Sequence, residues 1–196
     1  MEQFVLASAS PRRKELMKHI SDSFKVIVSD VDEAKIDTSC PPNIYVEELA
    51  LLKAASSAKS VIKDKDAVII SADTIVVKDN KILTKPKDEK DAFYMLASLS
   101  GEEHFVYTGY CIMRMSDGFT YCGCEKTAVR FRDLTEDKIN AYIKTGEPMD
   151  KAGAYGIQGK GAKFIERIEG DYFNVVGFPV CSIVKALENE FNITVI

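Results

Sequence analysis

The sequence predicts a mixed α/β fold, and three observations carry that reading. Dense apolar runs of strand length, Ala67–Ala72 the clearest, alternate with stretches of helical period such as Pro42 to about residue 61. Two long strand-like segments, about 103–115 and 119–132, meet at Ser116-Asp117-Gly118, a hairpin signal. Helical crossovers join parallel strands and tight turns join antiparallel ones, so the sheet combines both directions. The chain of 196 residues is long enough for one generous domain or two small lobes sharing a core.

Residues 3–8 read as a buried strand and 11–20 as a helix, with Leu16, Met17 and Ile20 at helical spacing. Ser10 is placed to cap that helix and Pro11 to open it, where a missing N–H costs nothing. Phe24–Val28 reads as a second strand, followed by a loop carrying Asp30, Asp32 and Glu33. Pro42 opens a long helix whose Val46, Leu49, Ala50, Lys53 and Ala54 share one face. Ala67–Ala72 is a central strand that stops at Asp73-Thr74 and resumes at Ile75–Val77, and Lys78–Lys81 turns the chain back through Ile82–Thr84. Asp88 caps a helix over 89–99, ended by Ser100-Gly101. After the long hairpin, Thr135 caps a helix to about 145. Residues 146–163 hold five glycines and no helical period, a long loop of the kind that is usually functional. Ala162–Ile168 is a strand, Pro179–Glu190 a helix, and Val195-Ile196 closes a sheet edge. Phe93, Tyr94, Tyr142 and Phe191 suit core or half-buried positions.

Hydrophobic residues make up 46% of the chain and charged residues 29%, the balance of a soluble globular protein. The net charge of −4 supplies no general field for polyanions, and no Lys/Arg run marks a nucleic-acid surface. No apolar run spans a bilayer and no signal-peptide pattern opens the chain, so a cytoplasmic protein without a membrane partner is expected. Cys40, Cys111, Cys122, Cys124 and Cys181 form no CxxC pair and read as reduced thiols rather than a zinc site.

Several residues could carry chemistry. The turn Ser8-Ala9-Ser10-Pro11-Arg12-Arg13 gathers hydroxyls, guanidiniums and the N–H groups of a helix start, the equipment of a phosphate site. Asp73, at the end of an apolar strand, sits where α/β sheets place ligands; a carboxylate there needs a partner, a metal or solvent. The same residue also suits an Asx turn with Thr74. Glu33 and Asp73 would hold one Mg²⁺ if the fold brings them together, while a solvated acidic loop is the plainer account of Glu33. Lys53, among alanines on an apolar helix face, either snorkels to solvent or meets an anion. Lys85, stiffened by Pro86, is a further cation that with Arg12 and Arg13 would neutralise a triphosphate. In Lys151–Gly161 the glycines permit close approach to a ligand, and Gln158 offers a donor and an acceptor for a base edge. That stretch lacks the spacing of a P-loop or dinucleotide fingerprint, and plain flexibility would also explain it. His19 and His104 stand apart from any nucleophile, which argues against Ser-His-Asp or Cys-His hydrolysis.

The motifs together resemble those of the Maf-type nucleotide pyrophosphatases. The resemblance rests on Leu6-Ala7-Ser8-Ala9-Ser10-Pro11-Arg12-Arg13, Ser71-Ala72-Asp73-Thr74-Ile75-Val76, Lys85-Pro86, Asp150–Gly159 and Gly170–Pro179, in the family's order over nearly the whole chain. It implies a single domain over residues 1–196 with an inosine-triphosphatase-like fold: an elongated mixed sheet with helices in two lobes around a central cleft. It implies hydrolysis of a nucleoside triphosphate to the monophosphate and pyrophosphate with a divalent cation, Mg²⁺ or Mn²⁺, and a homodimer. Asp73 matches the family's proton acceptor, and Ser8, Arg13, Glu33, Lys53, Lys85 and Gln158 match its cleft residues. Arg12, Thr74 and Gln158 match the three positions that separate substrate branches, in the pattern of the branch acting on dTTP and UTP. The branch favouring 7-methyl-GTP carries Trp, Gln and Glu there. Phe178 stands where many relatives have Leu.

The expected mechanism has Glu33 and Asp73 at the metal and Asp73 deprotonating water for in-line attack at the α-phosphorus. Ser8, Ser10 and Arg13 bind phosphate, and Arg13, Lys53 and Lys85 offset the charge that develops. Arg12, Thr74 and Gln158 favour a pyrimidine with a 4-carbonyl and N3–H, which cytosine reverses. Two rivals are open at the level of sequence: modified pyrimidine nucleotides such as 5-methyl-UTP or pseudo-UTP as substrates, and a nucleotide-binding regulator of cell division with little catalysis.

Overall fold

The computed structural model describes residues 2–31 and 40–195. Among them the chain forms β1 (Gln3–Leu6), α1 (Pro11–Met17), β2 (Phe24–Val26), α2 (Pro42–Ala58), β3 (Ala67–Lys78), β4 (Lys81–Leu83) and α3 (Glu89–Leu99). It continues with β5 (Glu103–Arg114), β6 (Thr120–Phe131), α4 (Glu136–Ile143), β7 (Ile165–Glu169), α5 (Tyr172–Val176) and α6 (Val180–Phe191). The described strands make one seven-stranded sheet in the order β2-β1-β3-β5-β6-β7, with β4 also paired to β3. β1 runs parallel to β2 and β3, Leu6 lying opposite both Val26 and Ile70. β4 is antiparallel to β3 and β7 to β6. The sheet is therefore mixed, as the alternation of helical crossovers and hairpins required.

The chain divides into two compact units, Met1–Asp73 with Thr108–Glu125 and Gly177–Ile196, and Thr74–Tyr107 with Lys126–Val176. In the first unit the small-residue face of α2, Ala50 and Ala54, packs with Val5, Ala7, Ala67, Ile69 and Cys111. In the second unit Phe131 is fully buried and meets His104, Tyr155 and Phe164 edge-on, with ring centroids 5.0, 4.8 and 6.1 Å away. Leu96 and Leu99 of α3 and Ile139 and Tyr142 of α4 close that core.

Several elements differ from expectation for identifiable reasons. β3 does not stop at Asp73 but runs unbroken from Ala67 to Lys78. The strand can carry the buried carboxylate because a cation partners it there. Asp79 and Asn80, at φ 49° and 61°, make the tight turn into β4 that two left-handed residues allow. α2 stops at Ala58 and finishes as a 3₁₀ turn to Val61. Residues 146–163 are not a plain loop: short 3₁₀ turns at Glu147–Asp150, Ala152–Ala154 and Lys160–Phe164 build much of it, so β7 begins only at Ile165. The short helix α5 has too few residues to show a period in sequence. Val195 joins no strand, because Asn192 takes a left-handed conformation and the Ile193 N–H returns to the Leu187 carbonyl, 2.9 Å away. Tyr94 is exposed rather than packed.

Candidate active site

In the first unit, β1 and β3 leave their shared register side by side. Beyond Leu6↔Ile70, the Ala7 N–H still reaches the Ile70 carbonyl at 2.8 Å, and the next residues form the Ser8–Arg13 turn. Ser8 Oγ accepts the Ser10 N–H at 3.2 Å. Ser10 is the helix cap the sequence predicts, its Oγ accepting the Arg13 N–H at 3.4 Å with Pro11 in the first turn. Each hydroxyl that accepts in this way can still donate outward. Arg13 Nε donates to the Gly177 carbonyl at 2.8 Å, which fixes the plane of its guanidinium fork. Arg12 lies half-buried in the same turn.

Residues 69, 71 and 73 of β3 face α2, as strand alternation requires. Ile69 packs with Ala50 and Ala54, Ser71 Oγ donates to the Ala50 carbonyl at 2.6 Å, and Asp73 Oδ1 receives the Lys53 ammonium. Lys53 is 8% exposed and Asp73 7%, so the lysine on the apolar helix face meets an anion instead of snorkelling out. An ion pair this buried has few water contacts to weaken it. Ser56 and Ser57, one turn further along α2, tie down the strand-to-loop segment that precedes the acidic residues. Ser57 Oγ donates to the Ile27 carbonyl at 3.1 Å, and the Asp30 N–H donates to Ser56 Oγ at 3.2 Å. Asp32 and Glu33 themselves lie outside the described residues.

The second unit holds Thr74, Lys85 and Gln158. Thr74 is half-buried and, by alternation, shares the face of β3 that carries Val76, opposite that of Asp73. Val76 lies against Gly153 of the glycine-rich stretch, where a side chain would meet its Cγ2 at 2.8 Å. The Gly153 N–H donates to the Thr84 carbonyl at 3.1 Å, so that stretch is stitched to the exposed turn carrying Lys85, whose following Pro86 is buried. Gln158 is exposed.

A divalent cation fits these donors in one way. Among the described residues no three His, Cys, Asp or Glu side chains gather to hold a metal, and Asp73 is the one buried carboxylate of the turn-and-strand cluster. Mg²⁺ is commonly bound by one or two carboxylates while phosphate oxygens and water complete its octahedron. Asp73 would supply one carboxylate ligand of such a cation.

A family model described as Maf-like protein matches residues 3–190. The chain belongs to the Maf family. It is 49% identical over 196 residues to a protein of Alkaliphilus metalliredigens named dTTP/UTP pyrophosphatase, covering 100% of both chains. It is 50% identical over 181 residues to one of the same name from Clostridium novyi, covering 92% of this chain and 94% of the relative. Among solved structures it is similar to the Staphylococcus aureus Ham1 protein, with TM-score 0.51 and 16% identity over 84% of this chain and 80% of that one, a likeness of fold. In this Maf-family chain Phe178 is fully buried.

Three contributors to the site are not among the candidate residues singled out in the sequence. Ser71 is a polar residue inside an apolar run, a signal that it needs a buried partner. Gly109 is a glycine inside a strand, the usual mark of a close backbone approach; a Cβ there would lie 2.3 Å from the Val46 carbonyl carbon and oxygen of α2. The Gly177 carbonyl has no local signal, because its partner Arg13 is 164 residues away.

Proposed function

We propose that this chain hydrolyses dTTP and UTP to the nucleoside monophosphate and pyrophosphate. The observation that carries the reading is the buried Lys53–Asp73 pair beside the Ser8–Arg13 turn, in a chain about half identical to relatives named for that activity. Asp73 accepts a proton from water as the water attacks the α-phosphorus in line; the α–β bridging P–O bond breaks and pyrophosphate leaves. Lys53 orients Asp73 through their ion pair, and Arg13 and Lys85 offset charge on the phosphate oxygens. Ser8 and Ser10 donate to phosphate. Arg12, Thr74 and Gln158 select a pyrimidine with a 4-carbonyl and N3–H, so dCTP and CTP are poor substrates. Asp73 and Glu33 would hold Mg²⁺ or Mn²⁺, which supplies charge neutralisation on the phosphates when bound. The free thiols of the described cysteines support a cytoplasmic setting. We include a homodimer in the proposal, and sedimentation of the purified chain tests it.

Pyrophosphate release from a panel of canonical and 5-modified nucleotides, with and without Mg²⁺, tests the reading. Asp73→Asn is expected to lower kcat by about 10²–10⁴-fold, the range for a lost general base, with circular dichroism unchanged. Near-normal turnover by that variant would remove Asp73 from the role, and tight nucleotide binding without release by the wild type would favour a regulator.

A further inference from the structure

The carboxylate of Glu147 occupies a place that the glycine-rich stretch is shaped to receive. Gly146, at φ 74°, follows α4 and turns the chain into the Glu147–Asp150 turn, from which the Glu147 carboxylate reaches residues 160 and 161. Glu147 Oε2 accepts the Lys160 N–H at 2.9 Å, and Oε1 accepts the Gly161 N–H at 3.2 Å and the Tyr142 hydroxyl at 2.9 Å. The same Tyr142 oxygen accepts the Gly156 N–H. One hub thus pins the chain on both sides of Gln158, at Gly156 and at Lys160–Gly161.

The glycines follow from this hub. A Cβ on Gly159 would sit 2.3 Å from Glu147 Oε1, and one on Gly161 2.7 Å from the Tyr142 oxygen. A Cβ on Gly156 would meet Lys151 Cε at 2.7 Å, and Lys151 Nζ donates to the Glu147 carbonyl at 2.7 Å. The close approach that these glycines permit is to the protein's own carboxylate, hydroxyl and lysine stem, where the sequence alone suggested a ligand. Gln158 is left as the exposed side chain between two fixed points.

We propose that Glu147 is a positioning residue for nucleobase selection: it holds the 156–161 segment, and with it Gln158, in the geometry that reads the base before the nucleotide arrives. This rests on the proposed dTTP/UTP selectivity. Fixing a recognition loop beforehand removes the ordering cost from the binding step and keeps donor and acceptor from swapping to suit the wrong base. A carboxylate is suited to the task because it only accepts, so the N–H donors around it define one arrangement. Burial alone would raise the Glu147 carboxyl, but the N–H groups of Lys160 and Gly161, the Tyr142 hydroxyl and the charge of Lys151 hold it below the ordinary range. The clamp therefore stays ionised through neutral pH.

Two variants test the proposal. Glu147→Gln keeps size but turns an N–H₂ toward N–H donors. Gly159→Ala keeps every functional group and evicts the carboxylate, whose flexible stem can yield without unfolding the unit. Both are expected to reduce the UTP-over-CTP ratio of kcat/KM by roughly tenfold or more, chiefly through a higher KM for UTP, with kcat little changed. Amide exchange of residues 156–161 should accelerate in both. A wild-type ratio retained in the variants, or unchanged exchange, overturns the role of Glu147. Failure of the underlying functional reading is seen separately, in a wild type that does not distinguish UTP from CTP.

Discussion

Lys53 and Asp73 form an ion pair that is buried on both sides. Removing one partner of a buried ion pair strands the other, at a cost of about 3–5 kcal/mol, while removing both relieves much of the penalty. Lys53→Met is therefore expected to lower unfolding free energy by roughly that amount, and the double variant with Asp73→Asn to recover about 1 kcal/mol or more of the summed loss. Urea unfolding of the three variants measures it; strict additivity would mean the pair is not coupled. His104 is a second buried ionisable group, with a different role. It is fully buried, its Nε2 lies 2.7 Å from the Tyr155 hydroxyl, and burial first and the charge of Lys78 second push its pKa from 6.5 to about 3. The folded state thus prefers the neutral ring. Its contribution is fully present above pH 6.5 and is lost as pH falls toward 3, because the unfolded chain binds the proton first. Within that window wild-type stability should fall relative to His104→Gln by up to about 1.4 kcal/mol per pH unit. Denaturant titrations at pH 7.5, 5.5 and 4.5 read the difference, and parallel curves would refute it.

Helix α2 is the element that delivers Lys53, and it is fixed by two contacts on neighbouring strands. Ser71 Oγ holds the Ala50 carbonyl, and Gly109 lets β5 touch the backbone at Val46 and Glu47. Since a Cβ at position 109 would meet backbone rather than a movable side chain, Gly109→Ala must shift the helix. Overpacking of this kind costs about 1–3 kcal/mol, and a displacement of the lysine relative to Asp73 should lower kcat more than it raises KM. Steady-state kinetics with UTP check it; unchanged kcat in a destabilised but folded protein would make Gly109 purely structural. The elements themselves were largely legible. The α2 face Val46, Leu49, Ala50, Lys53, Ala54 is buried as its spacing predicts, α3 spans Glu89–Leu99 with Asp88 capping it, and the β3–β4 turn falls at Asp79-Asn80. What failed locally failed where tertiary partners override pattern. β3 continues through Asp73 because Lys53 compensates the charge, and residues 156–161 are held by the Glu147 carboxylate and the Tyr142 hydroxyl, which no period reveals.

At the scale of the whole molecule, the same division separates the candidate residues readable in sequence from the rest. Ser8, Arg13, Lys53, Asp73, Lys85 and Gln158 could be singled out because residue type and local setting suggest chemistry. Ser71, Gly109, Glu147 and Gly177 act through partners as far as 164 residues away, so their roles exist only once the chain has folded. Under the proposed function, the net charge of −4 makes Arg13, Lys53 and Lys85 more consequential, since triphosphate must be attracted locally against a weakly repulsive background. Nucleotide should then stabilise the folded chain selectively. A ligand bound only by the native state adds RT ln(1 + [L]/Kd), about 2.7 kcal/mol at a hundredfold excess over Kd. For a chain of 196 residues that corresponds to a rise in Tm of roughly 5–11 °C. A non-hydrolysable α,β-imido analogue of UTP with Mg²⁺ is expected to produce this shift at concentrations where the CTP analogue produces little. Raising the salt should shrink it, because the contacts that hold the phosphates are screened. Differential scanning fluorimetry at two ionic strengths decides the matter: equal shifts with both analogues would remove base selection from the binding step, and a salt-independent shift would remove the cations from phosphate recognition.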